Sequence, residues 1–289
     1  MSFSAMPMRL RGEFEQDLGA MAAKLTEPLV GFTTNITSGK TRIDFTCTQT
    51  SRPWPQMRGI WLSDLSRQLP PTTQLHSLDI SLEQLPPRNL APPNVTYHQW
   101  DFFTPPPAEL RGTFDVVHMR LVAVVVKDMQ PARILANVAQ LLKPGGYLQW
   151  EEHYTADAKV VHGSGGRVPP ADEFPGVDRL KHLMADPLNA SDGSLLLGSR
   201  DWLTTLDRTM QDGGFEEVRR VVYPDAPVMG MFWNDVYVAS VDEFARQMLK
   251  VDPDLGKELQ GMIERIEKEK RQGAWLSNPK AVFLGKRKG

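Results

Sequence analysis

The chain carries a set of polar residues at or just beyond the ends of predicted β-strands: Asp79, Asp101, His118, Glu151 and His153. In an open α/β sheet, ligands bind outside the carboxyl ends of the strands, so these side chains would meet at one edge. A carboxylate there can accept hydrogen bonds from the two vicinal hydroxyls of a ribose, and a histidine can titrate near neutral pH. The set therefore predicts a site for a nucleoside-like ligand with general acid–base groups beside it.

The segment 74–81, QLHSLDIS, is predicted to contain a strand that ends in Asp79. Gly59 precedes it by about twenty residues, the interval expected between the glycine of a ligand-binding turn and the acid that holds a ribose. Gly59, Asp79 and the neighbouring Ile80 are therefore predicted to bind a cofactor. A single aspartate at a strand end is also a common turn residue, and this alternative stays open.

The candidates for catalysis are His118, Glu151 and His153, and Arg120 lies near His118 in the sequence. His118, near the end of the predicted strand 114–119, could contact a ligand or act as a general base, although a structural histidine is an equally good interpretation. Arg120 could hold a carboxylate or pair with a nearby acid. Glu151 and His153 follow the next strand and could remove a proton from a substrate hydroxyl, amine or amide.

The segment 114–152 supplies the elements that would position these groups. An apolar strand is followed by a helix that begins at Pro131, a residue tolerated in the first helical turn. Apolar residues then recur at helical spacing, and the KPGG segment at 143–146 is predicted to end the helix before a strand begins at Tyr147. Two strands joined by a helical crossover are usually parallel neighbours, so this unit predicts half of an open α/β sheet.

Further elements are predicted outside this unit. They are a helix within 1–30, a strand at 41–47, a helix starting near Ile60, an outer strand at Phe215–Tyr223, a helix capped by Asp252 and a last strand at 281–285. Residues 156–187, rich in glycine and proline, are predicted to form a mobile loop or lid. The apolar cluster 229–233 could form the wall of a substrate pocket or pack in the core of a helical cap.

Composition narrows the function classes. The 289 residues carry a net charge of −2, which does not favour a nucleic acid or an anionic membrane as a partner. A single cysteine excludes an internal disulfide and a cysteine-cluster metal site, and it favours a reducing, cytoplasmic location. We expect no signal peptide, because no apolar core follows the basic residues near the N-terminus, and no membrane span, because the longest apolar run, 121–126, is too short to cross a bilayer. We also expect no metal site.

The sequence FDVVH, a helix and then LLKPGGYLQWEE resemble the central unit of the class I S-adenosylmethionine-dependent methyltransferases, most closely the fungal branch of secondary metabolism. The resemblance implies an α/β fold: a seven-strand, mostly parallel Rossmann-like sheet with helices on both faces and a helical and loop cap insertion. It also implies that the last strand enters the sheet antiparallel. The predicted segments are an N-terminal helical part, a cofactor-binding half, a lid with an outer strand, and C-terminal helices with the last strand: 1–40, 41–155, 156–240 and 241–289.

The resemblance also implies S-adenosylmethionine as the cofactor, lying across Gly59, Asp79, Asp101, Phe102 and His118. Asp101 would take the adenine amino group, and Phe102 would lie against the ring. The alternative is that Asp101 caps the next turn and Phe102 belongs to the core. Methyl transfer needs mainly in-line positioning of the acceptor and the methyl group, so an obligatory catalytic residue need not exist.

One segment departs from the family pattern. Where a glycine-rich turn is expected, the chain has Ser-Arg-Pro-Trp-Pro at 51–55, which is stiff and bulky. A remodelled cofactor loop, a loop that no longer binds the cofactor and a misplaced splice junction all remain open. Two main functions follow: a methyltransferase acting on a small, apolar or aromatic metabolite, or a methyltransferase-like protein that isomerises, cyclises or steers a biosynthetic intermediate. A non-catalytic subunit that works with pathway enzymes is a third interpretation.

Overall fold

In the computed structural model, the described residues are 42–46, 60–83, 85–126, 130–225 and 227–289. The helix predicted within residues 1–30, the 51–55 segment and Gly59 lie outside the described residues. The segment 1–40 does so as well.

Eleven strands and six α-helices follow one another in the described part of the chain. They are β1 (Arg42–Thr46), α1 (Ile60–Gln68), β2 (Gln74–Asp79), β3 (Val95–Gln99), β4 (Phe114–Arg120), α2 (Pro131–Leu141), β5 (Leu142–His153), β6 (Lys159–His162), α3 (Pro175–Ala185), β7 (Leu188–Asn189), β8 (Leu195–Leu197), α4 (Leu206–Asp212), β9 (Phe215–Tyr223), α5 (Pro227–Val251), α6 (Pro253–Arg271), β10 (Ala274–Ser277) and β11 (Lys280–Arg287).

The described residues form a mixed α/β fold around one larger sheet with the strand order β3-β2-β1-β4-β5-β11-β9. The strands from β3 to β5 in this order pair in parallel, and β11 pairs antiparallel with both β5 and β9. The strand order reverses between β1 and β4, which is where ligands bind in open α/β sheets. The predicted outer strand and antiparallel last strand are both confirmed.

Helices cover both faces of this sheet. Successive side chains of a strand point to opposite faces, and in β2 Leu75 packs with Leu62 of α1, whereas Leu78 joins the cluster that contains Ile134 of α2. The second cluster is larger and also takes in Met210 of α4. The two faces of the sheet are therefore each covered by a hydrophobic cluster that includes a helix.

The central unit begins as predicted, with α2 starting at Pro131 and burying its apolar face. The prediction that the helix ends before KPGG is confirmed, but β5 begins at Leu142 and not at Tyr147. Gly145 has a φ of +77° and the register shifts nearby, so the segment is an irregular start of the strand. A Cβ on Gly146 would lie 3.0–3.1 Å from three carbonyl oxygens, which explains the second glycine.

The loop predicted at 156–187 is wrong, because β6 and α3 occupy much of this segment. Two residues of this composition belong to the helix: Pro175 begins α3, and a Cβ on Gly176 would lie 2.9 Å from the Ile266 nitrogen of α6. Glu269 of α6 accepts hydrogen bonds from the Gly176 and Val177 nitrogens, both at 2.8 Å. Close contact between α3 and α6 accounts for Gly176, whereas Gly163 and Gly166 lie in a turn with left-handed φ values of 68° and 70°.

The predicted boundary between residues 240 and 241 falls inside α5, a single helix of 25 residues. Asp235 and Gln247 sit on its exposed side, whereas Asn234 is fully buried, and none of these polar residues interrupts the helix. The next helix, α6, begins after Asp252, whose side chain accepts a hydrogen bond from the Leu255 nitrogen at 3.2 Å, as predicted. Among the described residues, no helix is long and apolar enough to cross a membrane.

Candidate functional site

The carboxyl end of β2 places Asp79 beside β3. The Trp100 nitrogen donates a hydrogen bond to the Asp79 carbonyl oxygen at 2.8 Å, and the Asp79 side chain accepts one from the Ser81 nitrogen at 3.1 Å. Asp79 is almost fully buried, whereas its neighbour Ile80 is 46% exposed. The acid therefore occupies the predicted strand end, where it also stabilises the turn that follows.

Asp101 lies just beyond β3 and makes a local turn. Its carboxylate accepts a hydrogen bond from the Phe103 nitrogen at 2.9 Å, and its carbonyl oxygen accepts one from the Thr104 hydroxyl at 2.7 Å. Phe102 is 1% exposed and packs in the core, and its carbonyl oxygen accepts a hydrogen bond from Asn137 at 2.9 Å. The predicted contact between the Phe102 ring and an adenine does not fit this placement, because the core encloses the ring.

The donor set at this edge fits the nucleoside part of S-adenosylmethionine. Asp79 and Asp101 place carboxylates at the ends of two adjacent parallel strands, β2 and β3. Carboxylate oxygens are the acceptors that ribose hydroxyls and an adenine amino group require. Gly59, the third predicted contact, lies outside the described residues.

His118, Arg120 and Glu151 meet where β4 pairs with β5. His118 Nε2 lies 3.5 Å from one Glu151 carboxylate oxygen, and Arg120 Nε lies 3.6 Å from the other. Burial would raise the pKa of the Glu151 carboxyl, but a hydrogen bond from His118 and the charges of Arg120 and Lys280 outweigh it and lower the pKa to about 2. The prediction that Arg120 pairs with a nearby acid is confirmed, and Glu151 is an ionised group that lies beside both the His118 ring and the Arg120 guanidinium.

His153 follows Glu151 on the same face of β5 and lies under α5. Its Nδ1 is 3.2 Å from the Tyr237 hydroxyl, and its ring makes edge contacts with Trp233 and Tyr237. Burial lowers the pKa of His153 to about 3, and the positive charges of Lys280 and Arg120 act in the same direction. His153 is therefore neutral at physiological pH and a weak base.

Glu152 is a buried acid whose role the sequence did not reveal. One of its oxygens accepts hydrogen bonds from the Val122 nitrogen at 2.7 Å, the Ala123 nitrogen at 3.1 Å and Trp150 Nε1 at 2.9 Å. Burial raises the pKa of Glu152 to about 7, although these hydrogen bonds oppose the shift. The residue fixes the loop that leaves β4, which begins at Leu121 with a left-handed φ of 53°.

A group under α5 was also missed. Lys280 is the in-register partner of His153, and its ammonium lies 4.2 Å from the centre of the Trp233 ring and 3.9 Å from Asp225. Tyr237 is 4% exposed and nearly parallel to Trp233. Apart from His153, the sequence singled out only Trp233 of this group, as part of the predicted apolar cluster 229–233. The other contacts join residues that are far apart in the chain, so no local pattern predicted them.

The structure thus brings together His118, Glu151 and His153 at the ends of β4 and β5, and it places Asp79, Ile80 and Asp101 at the ends of β2 and β3. The switch in strand order lies between the two groups. In the part of the chain that the structure describes, no cluster of three or more side chains could hold a metal ion.

The arrangement is that of an open α/β domain with acids at adjacent strand ends beside a topological switch, the place where such domains bind nucleotides. Residues 58–148 match the family described as a methyltransferase domain. For this central segment, the match agrees with the resemblance found in the sequence to class I S-adenosylmethionine-dependent methyltransferases of fungal secondary metabolism.

Two curated fungal relatives agree with this family. The N-methyltransferase tcpN of Claviceps purpurea is 41% identical over 93 residues, which cover 32% of this chain and 33% of that protein. The N-methyltransferase gliN of Aspergillus fumigatus is 30% identical over 174 residues, covering 57% of this chain and 53% of that protein. The chain therefore spans between a third and about half of the length of these relatives.

A solved structure also aligns with most of the chain. It is a putative sarcosine dimethylglycine methyltransferase from Galdieria sulphuraria, at a TM-score of 0.47 and 14% identity, covering 92% of this chain and 85% of that one.

Proposed function

We propose that this protein is an S-adenosylmethionine-dependent methyltransferase that methylates a nitrogen atom of a small secondary metabolite. The observation that carries the proposal is the division of one sheet edge into two groups. Asp79 and Asp101 follow β2 and β3 on one side of the switch point, and Glu151 and His153 lie at the end of β5 on the other. The first group suits a nucleoside, and the second suits the molecule that accepts the methyl group.

The cofactor supplies an electrophilic methyl group when bound. Asp79 would hold the ribose hydroxyls and Asp101 the adenine amino group. His118, on β4, is the member of the second group nearest to the switch point, and its contact with the ionised Glu151 holds the imidazole where β4 pairs with β5. The chain's own residues thereby orient the two reactants, which is the main requirement of an in-line transfer.

The acid–base properties of the second group favour nitrogen as the acceptor atom. Glu151, with a pKa near 2, and His153, with a pKa near 3, are weak bases at neutral pH. An acceptor that is already nucleophilic in its neutral form needs no strong base, and a nitrogen lone pair meets this condition. The names of the two fungal relatives, both N-methyltransferases, support the same choice.

A second candidate function is a methyltransferase-like protein that performs an isomerisation, a cyclisation or a product-steering step. The Ser-Arg-Pro-Trp-Pro sequence at 51–55, in place of a glycine-rich turn, favours it. A cytoplasmic location and cooperation with pathway enzymes stay predictions under either function.

Calorimetry with S-adenosylhomocysteine tests the proposal. We expect saturable binding to the wild-type protein and binding at least about tenfold weaker for Asp79→Ala, since two hydrogen bonds to a charged acceptor are lost. Asp115→Ala is the control, because Asp115 lies near the start of β4 and pairs with Lys143 away from the carboxyl edge. Absence of binding at millimolar ligand would exclude the methyltransferase and leave the second function.

A further inference from the structure

A group of polar side chains under α5 takes no part in the proposed cofactor site. We call it the polar floor, and it consists of His153, Asp225, Tyr237 and Asn278. Tyr237 and His153 are linked at 3.2 Å, and the Asn278 backbone nitrogen donates a hydrogen bond to Asp225 at 2.6 Å. The Trp233 ring covers one side of this group through its contacts with His153 and Tyr237.

The charges beside the polar floor are already matched within the protein. Asp225 lies 3.9 Å from the Lys280 ammonium, which also rests on the Trp233 ring. Arg120 faces the ionised Glu151 at 3.6 Å. His153 and Tyr237 are neutral at physiological pH, because burial lowers the pKa of the histidine and raises the pKa of the tyrosine. A ligand at this place therefore needs no net charge.

Asn278 is the one member of the polar floor whose side chain lacks regular hydrogen bonds. The residue is fully buried, and neither its amide nitrogen nor its amide oxygen has a partner in hydrogen-bond geometry, although the amide approaches the Tyr237 hydroxyl. Arg120 Nε is a second buried donor without such a partner. Buried polar groups in folded proteins are nearly always bonded, so an unbonded donor and acceptor on one side chain indicate a place for a ligand group.

The position of Asn278 also suits the acceptor molecule. It directly precedes β11, which pairs with β5 on the side of the sheet away from β2 and β3. His153 then lies between Asn278 and the His118–Glu151 pair. A molecule held at Asn278 would approach the sheet edge from the side opposite the nucleoside acids.

The geometry points to Asn278 as the residue that binds the methyl acceptor, by receiving a neutral group of that molecule that both donates and accepts a hydrogen bond. A carboxamide or a hydroxyl group has this chemistry. The inference rests on the proposed function for the statement that the bound molecule is the acceptor. The binding site itself does not depend on the cofactor.

Acetamide, acetate and methylammonium serve as probes, because they offer a neutral amide, an anion and a cation of similar size. Nitrogen-15 NMR titrations would follow the Trp233 indole and the Asn278 side-chain amide. We expect acetamide alone to shift these signals in the wild-type protein, and the Trp233 response to weaken at least tenfold in Asn278→Leu. Three results would overturn the inference. They are the absence of signal shifts when acetamide is added to the wild type, equal shifts in Asn278→Leu and the wild type, and larger shifts with acetate or methylammonium than with acetamide.

A second measurement separates a binding role from a purely structural one. Asn278→Leu removes a side chain without regular hydrogen bonds, so its melting temperature should equal or exceed that of the wild type. Asn94→Leu is the matched control: the Asn94 amide bonds Ser66 at 2.7 Å and the Thr73 carbonyl at 2.9 Å, so this variant should melt lower and keep the acetamide response. A large drop in melting temperature for Asn278→Leu would contradict the binding role.

Failure of this inference and failure of the proposed function are distinguishable. If the protein does not bind S-adenosylhomocysteine but still shows an acetamide response that depends on Asn278, the proposed methyltransferase function is rejected and the binding site at Asn278 is supported. If the protein binds S-adenosylhomocysteine but shows no acetamide response, the binding site at Asn278 is rejected and the proposed methyltransferase function is supported.

Discussion

Glu151 Oε2 lies 3.5 Å from His118 Nε2, and this contact joins β5 to β4 at the carboxyl edge of the sheet. The carboxylate is buried, yet its pKa is lowered to about 2, because the His118 hydrogen bond and the charges of Arg120 and Lys280 outweigh the effect of burial. The folded state therefore stabilises the ionised form of Glu151. The contact therefore links the β4 and β5 members of the second group of candidate functional residues.

The lowered pKa of Glu151 predicts that the protein loses stability in acid. The folded state holds Glu151 ionised below the ordinary pKa of a glutamate, so its contribution is complete above about pH 4.5 and disappears as the pH falls toward 2. The contribution is on the order of 3 kcal/mol. We expect urea unfolding of Glu151→Gln to depend less on pH than that of the wild type between pH 5 and 3. Parallel pH profiles of the two proteins would show that the carboxylate is not held in this way.

Glu152 predicts the opposite dependence. Its pKa is raised to about 7 in the folded state, so the folded protein loses stability as the pH rises from about 4.5 through 7. Glu152→Gln keeps an oxygen that can accept from Val122, Ala123 and Trp150 and removes the charge. We expect the variant to exceed the wild type in unfolding free energy at pH 8, by up to about 3 kcal/mol, and to match it at pH 5. A variant that is less stable at pH 8 would argue that the ionised carboxylate is required.

His153 should not titrate in the physiological range. Burial, Lys280 and Arg120 hold its pKa near 3, far below the usual value of a histidine. We expect the NMR signals of its ring protons to stay constant from pH 8 to pH 5. His153→Gln identifies the signals by their absence. A titration midpoint near pH 6.5 would mean that the ring is solvated and able to act as a general base.

The contact between α5 and β10 depends on a glycine. A Cβ on Gly230 would lie 2.0 Å from the Trp275 ring, so Gly230→Ala must displace the ring or the helix. We expect a loss of about 1–3 kcal/mol in unfolding free energy. Gly261→Ala in α6 is the control, because nothing lies within 4 Å of its added Cβ, and it should gain up to about 1 kcal/mol. Equal effects of the two substitutions in thermal unfolding would contradict the packing described here.

The central unit could be predicted from the sequence because its signals are local. The apolar spacing of α2, the proline at its start and the acid at the end of β2 each act over a few residues. The insertion could not be predicted in the same way, because Gly176 looks like a loop residue until α6 is seen to pack against it. This glycine reflects a close contact with a helix that is distant in the sequence.

The candidate site was predictable only in part, for a related reason. Strand ends placed His118 and Glu151 at one edge, and the structure adds that they touch. The link between His153 and Tyr237 joins residues 84 positions apart, and no spacing rule covers such a distance. Phe102 was assigned to a ligand by its neighbour Asp101, but the direction of a single side chain decides between core and site.

A crystal structure of the protein with S-adenosylhomocysteine tests the central claim most directly. The account predicts the ligand across the ends of β2 and β3, with its ribose on Asp79, its adenine amino group near Asp101 and its sulfur turned toward His118 at the end of β4. A ligand bound elsewhere, or a ribose that does not touch Asp79, would contradict it.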